Sequence, residues 1–361
     1  MRAFTITAPG IGEVRDVPVP DPAEGEVIVK VAYTGVCGTD YHIFAGNFLS
    51  RFPIVNGHEF SGVVSAVGRG VTDWREGDRV AVDPTLYCGH CYYCLRRQGN
   101  HCEYWGAIGD TRDGALAQFV AAPARNLYRV PDDEPLDVAV FTEPLACVVW
   151  GIERLRPAPG SHALVFGAGP IGALLTAMLS ISGCADVTVV DVTDDKLAIA
   201  RRLGASATVV SGPDLDAELR DLRAGRGFDI VVDCTGLPAV IEGMFRHAGP
   251  NARIMFFGVA PPTAEISIRP FDVYHQDWEI LGSMAINYTF QQAHDLLAAK
   301  TIDVRPLITR VAELDDVAAI LGRPKTETEL KTLVTPNGTF GQEGRRTEPA
   351  SLDHQASPST R

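Results

Sequence analysis

The 361-residue sequence has no surplus of basic charge: 45 Asp and Glu against 32 Lys and Arg leave a formal net charge of −13. Such a chain has no general attraction for phosphate backbones or anionic membranes, so neither nucleic acid nor a membrane is an expected partner. It also lacks any apolar run of the roughly eighteen residues a membrane helix needs. Met1-Arg2-Ala3-Phe4 leads straight into strand-like sequence without a basic stretch followed by an apolar one. No signal peptide is therefore expected, and a cytoplasmic chain is the simplest expectation. What is present is ordinary for a globular protein of about two domains: 46% apolar and 21% charged residues, enough to bury a sizeable core. In a reducing compartment the eight cysteines, Cys37, Cys88, Cys91, Cys94, Cys102, Cys147, Cys184 and Cys234, read as metal ligands or buried thiols rather than disulfides.

Residues 1–35 form short apolar runs broken by Pro18, Pro20, Pro22 and Gly25, and similar runs recur at 62–68 and 78–82. This pattern predicts a β-rich, barrel-like first unit. It carries Cys37-Gly38-Thr39-Asp40-Tyr41-His42 and, after fifteen residues, His58-Glu59. Cys, His and Glu are side chains that zinc accepts, and a shell only partly filled by protein leaves a position for substrate. Taken singly, each residue has a plainer reading as a buried cysteine, a capping threonine or a surface histidine. The metal reading rests on their convergence.

Cys88-Gly89-His90-Cys91-Tyr92-Tyr93-Cys94 followed by Cys102 is the strongest local signal. Four thiolates this close can wrap a loop, about residues 86–105, around one tetrahedral zinc, and a closed shell makes that zinc structural. With four thiolates in place, His90 and His101 are read as surface residues. Farther on, Glu143-Pro144-Leu145 opens an apolar helix with proline in its first turn. Glu143 there serves either the helix dipole or the metal on sequence grounds.

Pro157-Ala158-Pro159-Gly160 marks a boundary. A buried strand, 163–166, runs directly into Gly167-Ala168-Gly169-Pro170-Ile171-Gly172 and an apolar helix over 173–179. Strand before and helix after make this glycine pattern a dinucleotide fingerprint, in which pyrophosphate approaches backbone amides. The next strand ends in Asp191, placed to accept the ribose hydroxyls and repel a 2′-phosphate, which favours NAD over NADP. Strands and helices keep alternating, so a doubly wound parallel sheet is expected, with Thr235, Gly258, Val259 and Ser283 at strand ends near the cofactor. Residues 290–321 read as helical, 330–334 as a last strand, and 339–361 as a disordered tail rich in Gly, Ser, Thr, Pro and charge.

The order of these motifs resembles the zinc-containing medium-chain dehydrogenase/reductase superfamily over roughly residues 1–337. Glu143-Pro144-Leu145, where other alcohol dehydrogenases of the superfamily carry a cysteine ligand, is similar to its polyol (sorbitol or arabinitol type), glucose and threonine branch. The resemblance implies an α/β protein. Its GroES-like catalytic domain would be built from 1–156 and 291–338, interrupted by a Rossmann domain at 157–290. It implies two zinc ions per chain: a catalytic one held by Cys37 and His58, with Glu59, Glu143 and a water or substrate oxygen completing or exchanging in its shell and either carboxylate able to be the direct ligand, and a structural one held by Cys88, Cys91, Cys94 and Cys102. It further implies that Thr39 takes the substrate proton and passes it by way of the nicotinamide ribose to His42, and that Lys331 lies against the cofactor pyrophosphate. The activity implied is NAD-linked interconversion of a secondary alcohol, a polyol by preference, and its ketone, in a homodimer or homotetramer. L-threonine 3-dehydrogenase and aldose dehydrogenase are the nearest alternatives, and a silent NAD-binding structural or regulatory protein is the alternative of another class. Tyr41, Phe44, Phe48, Arg51 and Trp105 flank the ligand motifs and are candidates for the substrate pocket; each can equally be packing.

Overall fold

A computed structural model of the chain describes residues 1–48, 50–324 and 326–338. The expected tail, 339–361, lies outside the described residues. The N-terminal part is built on a seven-stranded sheet whose central member, Glu26–Gly35, pairs antiparallel with Glu59–Val67, Phe119–Pro123 and Lys331–Val334. The last of these strands brings the C-terminal end of the described chain back into the sheet centred on Glu26–Gly35. Val27, Val29 and Val31 alternate with their neighbours to fill one face of this sheet, against Phe60, Val80 and Val120. Ile28 and Ala32, pointing the other way, are buried as well, so this central strand is covered on both faces.

The middle of the chain forms six parallel strands in the order Ala207–Val210, Asp186–Asp191, His162–Phe166, Phe228–Asp233, Ala248–Phe256 and Glu279–Gly282. The first strand in sequence, His162–Phe166, is buried from Ala163 onward. Helix Pro170–Ile181 is buried throughout 172–179, as a helix with apolar residues all round must be. Its first residue is proline, whose missing N–H costs nothing at that position. Helices Thr142–Leu155 and Phe290–Ala298 join the same core through Leu145, Val148, Phe290 and Leu297.

One expectation is corrected. Residues 290–321 are not all helical: after helix Phe290–Ala298, Ile308–Ala312 is a strand parallel to Lys331–Val334, and only Val317–Leu321 resumes the helix. Pro306 and alternating half-buried and exposed residues favour the extended backbone there, with Ile308 and Val311 both β-branched.

Candidate active site and zinc lobe

The pairing of Glu26–Gly35 with Glu59–Val67 assembles the site. Gly35 lies opposite Glu59 across the ladder, so Cys37, just past one strand, meets His58 and Glu59 at the start of the other. A side chain on Gly35 would collide with the Glu59 carboxylate, which explains glycine at that point. The ligand atoms of Cys37, His58 and Glu59 lie within 4.8 Å of one another. Cys37 begins the short helix Gly38–Phe44, where its amide donates to Asp40 Oδ2 at 2.8 Å and its Sγ lies 3.8 Å from Thr39 Oγ1. Thr39 is half-buried, and His42, one turn on, is exposed.

Glu143 is buried in the first turn of Thr142–Leu155 but is not in the converging set. Its Oε1 accepts a hydrogen bond from the Cys147 thiol at 3.6 Å. Lys331 is 3% exposed, and its Nζ reaches both oxygens of Glu59 at 2.6 and 2.7 Å. The ammonium expected to face a pyrophosphate is thus committed in this structure to a carboxylate, because a buried carboxylate needs a cation.

The charges around the cluster are lopsided. Burial pushes the Glu143 carboxyl up to about 8, with His58 opposing and Glu59 adding. Burial also raises Asp40. For His58, burial favours the neutral ring, but Asp110 and Cys37 outweigh it and raise the imidazole well above its ordinary value. Burial works against the charge of Lys331 too, yet Glu59 keeps its pKa raised. Cys37, Asp40, Glu59, Asp110 and Glu143 thus gather around two basic groups, Lys331 and His58. A thiol, an imidazole and carboxyl groups gathered at one buried point are a fit donor set for zinc.

The four cysteines of the lobe also fit zinc. All four sulfurs lie within 4.8 Å of one another, and the pairs Cys88–Cys94 and Cys91–Cys102 stand 3.9 Å apart. A tetrahedron with Zn–S bonds of about 2.3 Å has edges of about 3.8 Å, whereas a disulfide needs about 2.05 Å. The amides of Cys91 and Tyr104 point at Cys88 Sγ and Cys102 Sγ at 3.4 and 3.3 Å. The Cys94 amide leads the effects that bring Cys91 down to about 6, while burial pushes its neighbour Cys94 up to about 12, as four sulfurs this close resist ionising together. His90 and His101 are exposed beside the lobe.

In the parallel sheet, Gly167 has φ +98, and a Cβ on Gly172 would strike the Gly167 carbonyl, so turn and helix are in direct backbone contact. Gly169 has nothing within 4 Å of such a Cβ, leaving the N-terminus of Pro170–Ile181, with Ile171 in its first turn, open to a pyrophosphate. Asp191 accepts from the amides of Ala168 at 2.7 Å and Thr193 at 3.1 Å. Thr235, Gly258, Val259 and Ser283 follow strand ends. Asp233, which sequence reasoning missed, ties the first of these by accepting from Thr235 Oγ1 and the Gly236 amide.

The pocket candidates scatter. Tyr41, Phe44 and Phe48 pack on a core of Phe4, Ile6 and Ile43. Trp105 packs with Tyr87 and Cys88 on the cysteine lobe, and Arg51 is exposed. Sequence reasoning also missed Asp110 and Asn56. Asn56 lay inside the ligand motif, while Asp110 carried no local signal.

Comparison with known proteins places this geometry. Residues 23–132 match the alcohol dehydrogenase GroES-like domain family and 170–299 the zinc-binding dehydrogenase family. D-altritol 5-dehydrogenase of Agrobacterium fabrum is 36% identical over 82% of this chain and 88% of its own. D-arabinitol dehydrogenase 1 of Uromyces fabae is 31% identical over 89% and 93%. L-threonine 3-dehydrogenase of Streptomyces coelicolor is 38% identical over 81% and 87%. A zinc-binding dehydrogenase of Sinorhizobium meliloti, solved with NADP, superposes with a TM-score of 0.90 at 31% identity, covering 93% of this chain and 99% of that one.

Proposed function

The chain belongs to the zinc-binding, GroES-like alcohol dehydrogenase family, and from that premise we propose that it is a zinc-dependent NAD oxidoreductase interconverting a secondary alcohol of a polyol and its ketone. The observation that carries this is the convergence of Cys37, His58 and Glu59 in a chain that also has the strand–glycine–helix fingerprint. Cys37 and His58 would hold the catalytic zinc, with Glu59 the nearer carboxylate and Glu143 the farther one. When bound, zinc would supply Lewis acidity that lets an alcohol lose its proton near neutral pH, and NAD would supply the hydride acceptor. Thr39 Oγ1 is the first acceptor for the hydroxyl proton. His42, three residues on and so on the same helical face, hands it to solvent. Cys88, Cys91, Cys94 and Cys102 would hold the second, structural zinc.

A polyol is favoured because relatives named for altritol and arabinitol align along most of this chain. L-threonine is the second reading, supported by the 38% identical threonine dehydrogenase. NADH formation in a screen of pentitols, hexitols, aldoses and L-threonine separates them. Turnover of a polyol is expected at the highest kcat/KM, and a clear preference for threonine or an aldose would replace this reading.

Asp191, followed by Asp194 and Asp195, supports NAD as the cofactor. A 2′-phosphate there meets like charge, which costs several kcal/mol, so kcat/KM with NAD should exceed that with NADP by roughly 10²-fold. Asp191→Ser should shrink that ratio. Equal or better use of NADP by the unaltered enzyme would refute the assignment.

A second copy of the chain is the expected partner. Glu279–Gly282 is an edge strand of the parallel sheet with exposed Ile280, and exposed Phe271, Tyr274 and Met284 lie on either side of it in sequence. Open, apolar edges of this kind invite strand pairing. A dimer or tetramer by light scattering is expected, and a monomer at micromolar concentration would count against it. No helix among the described residues is long and apolar enough to cross a membrane, and eight unpaired cysteines suit a reducing compartment such as the cytoplasm. Recovery of the native protein from an oxidising compartment would remove that location.

A further inference from the structure

His58 has two carboxylates behind it, and they are not equivalent. Asp40, its neighbour in the motif, lies 3.8 Å from Nδ1. Its oxygens already accept from the Cys37 amide at 2.8 Å and from Asn56 Nδ2 at 2.9 Å. Asp110 is closer, with Oδ1 at 3.3 Å from His58 Nδ1. Both side chains are more than nine-tenths buried, and neither of these two atoms has a completed hydrogen bond. A buried carboxylate in this condition is costly unless a donor or a cation answers it.

The loop that delivers Asp110 is pressed onto the ligand strand. Gly109 has φ +93, and a Cβ there would collide with the backbone of Gly57 and with the His58 nitrogen. The amides of Gly114, Ala115 and Leu116 donate to the carbonyls of Val55, Gly57 and Asn56 at 2.7, 2.8 and 2.9 Å. Ser50 Oγ then fixes the Asp110 carbonyl at 2.7 Å. Main chain on main chain leaves Asp110 little freedom to be anywhere but behind the imidazole.

We propose that Asp110 is a positioning residue for the catalytic metal: it accepts the Nδ1 proton of His58, fixes the tautomer that leaves Nε2 free for the metal, and makes that nitrogen a stronger donor. The inference rests on the zinc reading of the site. A carboxylate behind a ligating histidine orients the ring and raises its basicity, and losing one typically costs 10- to 100-fold in metal affinity. Asp110 also adds a negative charge beside a dication without occupying the shell, leaving the open position to substrate.

Asp110→Asn keeps the shape and one acceptor oxygen but removes the charge. In the full-length zinc-loaded protein, competition with a chromogenic chelator reads the catalytic-site zinc, and the cysteine-lobe zinc of the same molecule is the internal control. The expected result is catalytic zinc held about 10- to 100-fold more weakly, with lobe zinc unchanged. Both zincs retained as tightly as in the unaltered protein would overturn the inference and leave the zinc reading standing. Both loosening together would show a general folding role and also overturn it. An unaltered protein that binds zinc only in the lobe would remove the zinc reading itself, and the role of Asp110 with it.

Discussion

Replacing His58 by Ala is expected to lower kcat for alcohol oxidation by about 10³-fold or more, because the Lewis acid it helps to hold supplies several kcal/mol to the barrier and each 1.36 kcal/mol is tenfold in rate. The side chain is 5% exposed and is one of only three residues whose ligand atoms converge at this point among the described residues. Without it, Cys37 and Glu59, with Glu143 farther off, make a poor site for zinc, and Glu59 is already engaged by Lys331. The effect should be confined to the metal. NADH binding, read by fluorescence, should persist, because the glycine turn at 167–172 and Asp191 belong to a different sheet. Bound zinc should fall from two per chain to one. Near-normal turnover in the variant would refute the role of His58.

In the zinc-free protein the largest effect on stability is expected from Lys331→Met. The substitution keeps the length of the side chain but removes the ammonium that holds both oxygens of the Glu59 carboxylate, which is 1% exposed, at 2.6 and 2.7 Å. Breaking a buried pair by removing one partner costs about 3–5 kcal/mol, whereas replacing both partners with neutral groups costs far less. The unfolding midpoint in urea should therefore drop sharply in Lys331→Met and recover for the most part in Lys331→Met/Glu59→Gln. Equal midpoints for the single variant and the unaltered protein would show that the pair carries no such energy. The double variant separates loss of charge compensation from loss of packing, since the two neutral side chains nearly preserve volume.

The legible parts of this molecule were those whose partners are close in sequence. Cys88, Cys91, Cys94 and Cys102 fall within one loop, so spacing alone predicted a four-sulfur cluster, and the sulfurs do meet. The strand, glycine turn and helix over 162–181 follow one another without a break, and their hydrophobic pattern was sufficient. The meeting of Cys37 with His58 and Glu59 was expected from a resemblance, and its physical cause is the antiparallel register of Gly35 with Glu59. What stayed hidden depends on contacts across long stretches of chain. Lys331 finds Glu59 from 272 residues away, and a lone lysine in a strand carries no mark of its partner. Asp110 reaches His58 only because Gly109 lets two backbones touch. Ile308–Ala312 was read as helix because a five-residue strand between helical stretches offers too few residues to establish a period. Tyr41, Phe44 and Phe48 read from sequence as pocket or packing alike, and in the fold they lie partly buried against Phe4, Ile6 and Ile43.

The central claim is that zinc at Cys37, His58 and Glu59 enables NAD-linked oxidation of a polyol, and the most direct test is the rate of NADH formation from a hexitol or pentitol as the catalytic zinc is removed and restored. The expected result is activity that disappears on chelation of one zinc per chain, while the lobe zinc and the fold persist, and that returns in proportion to zinc added back. NADH formation that continues at full rate after that zinc has gone would contradict the account.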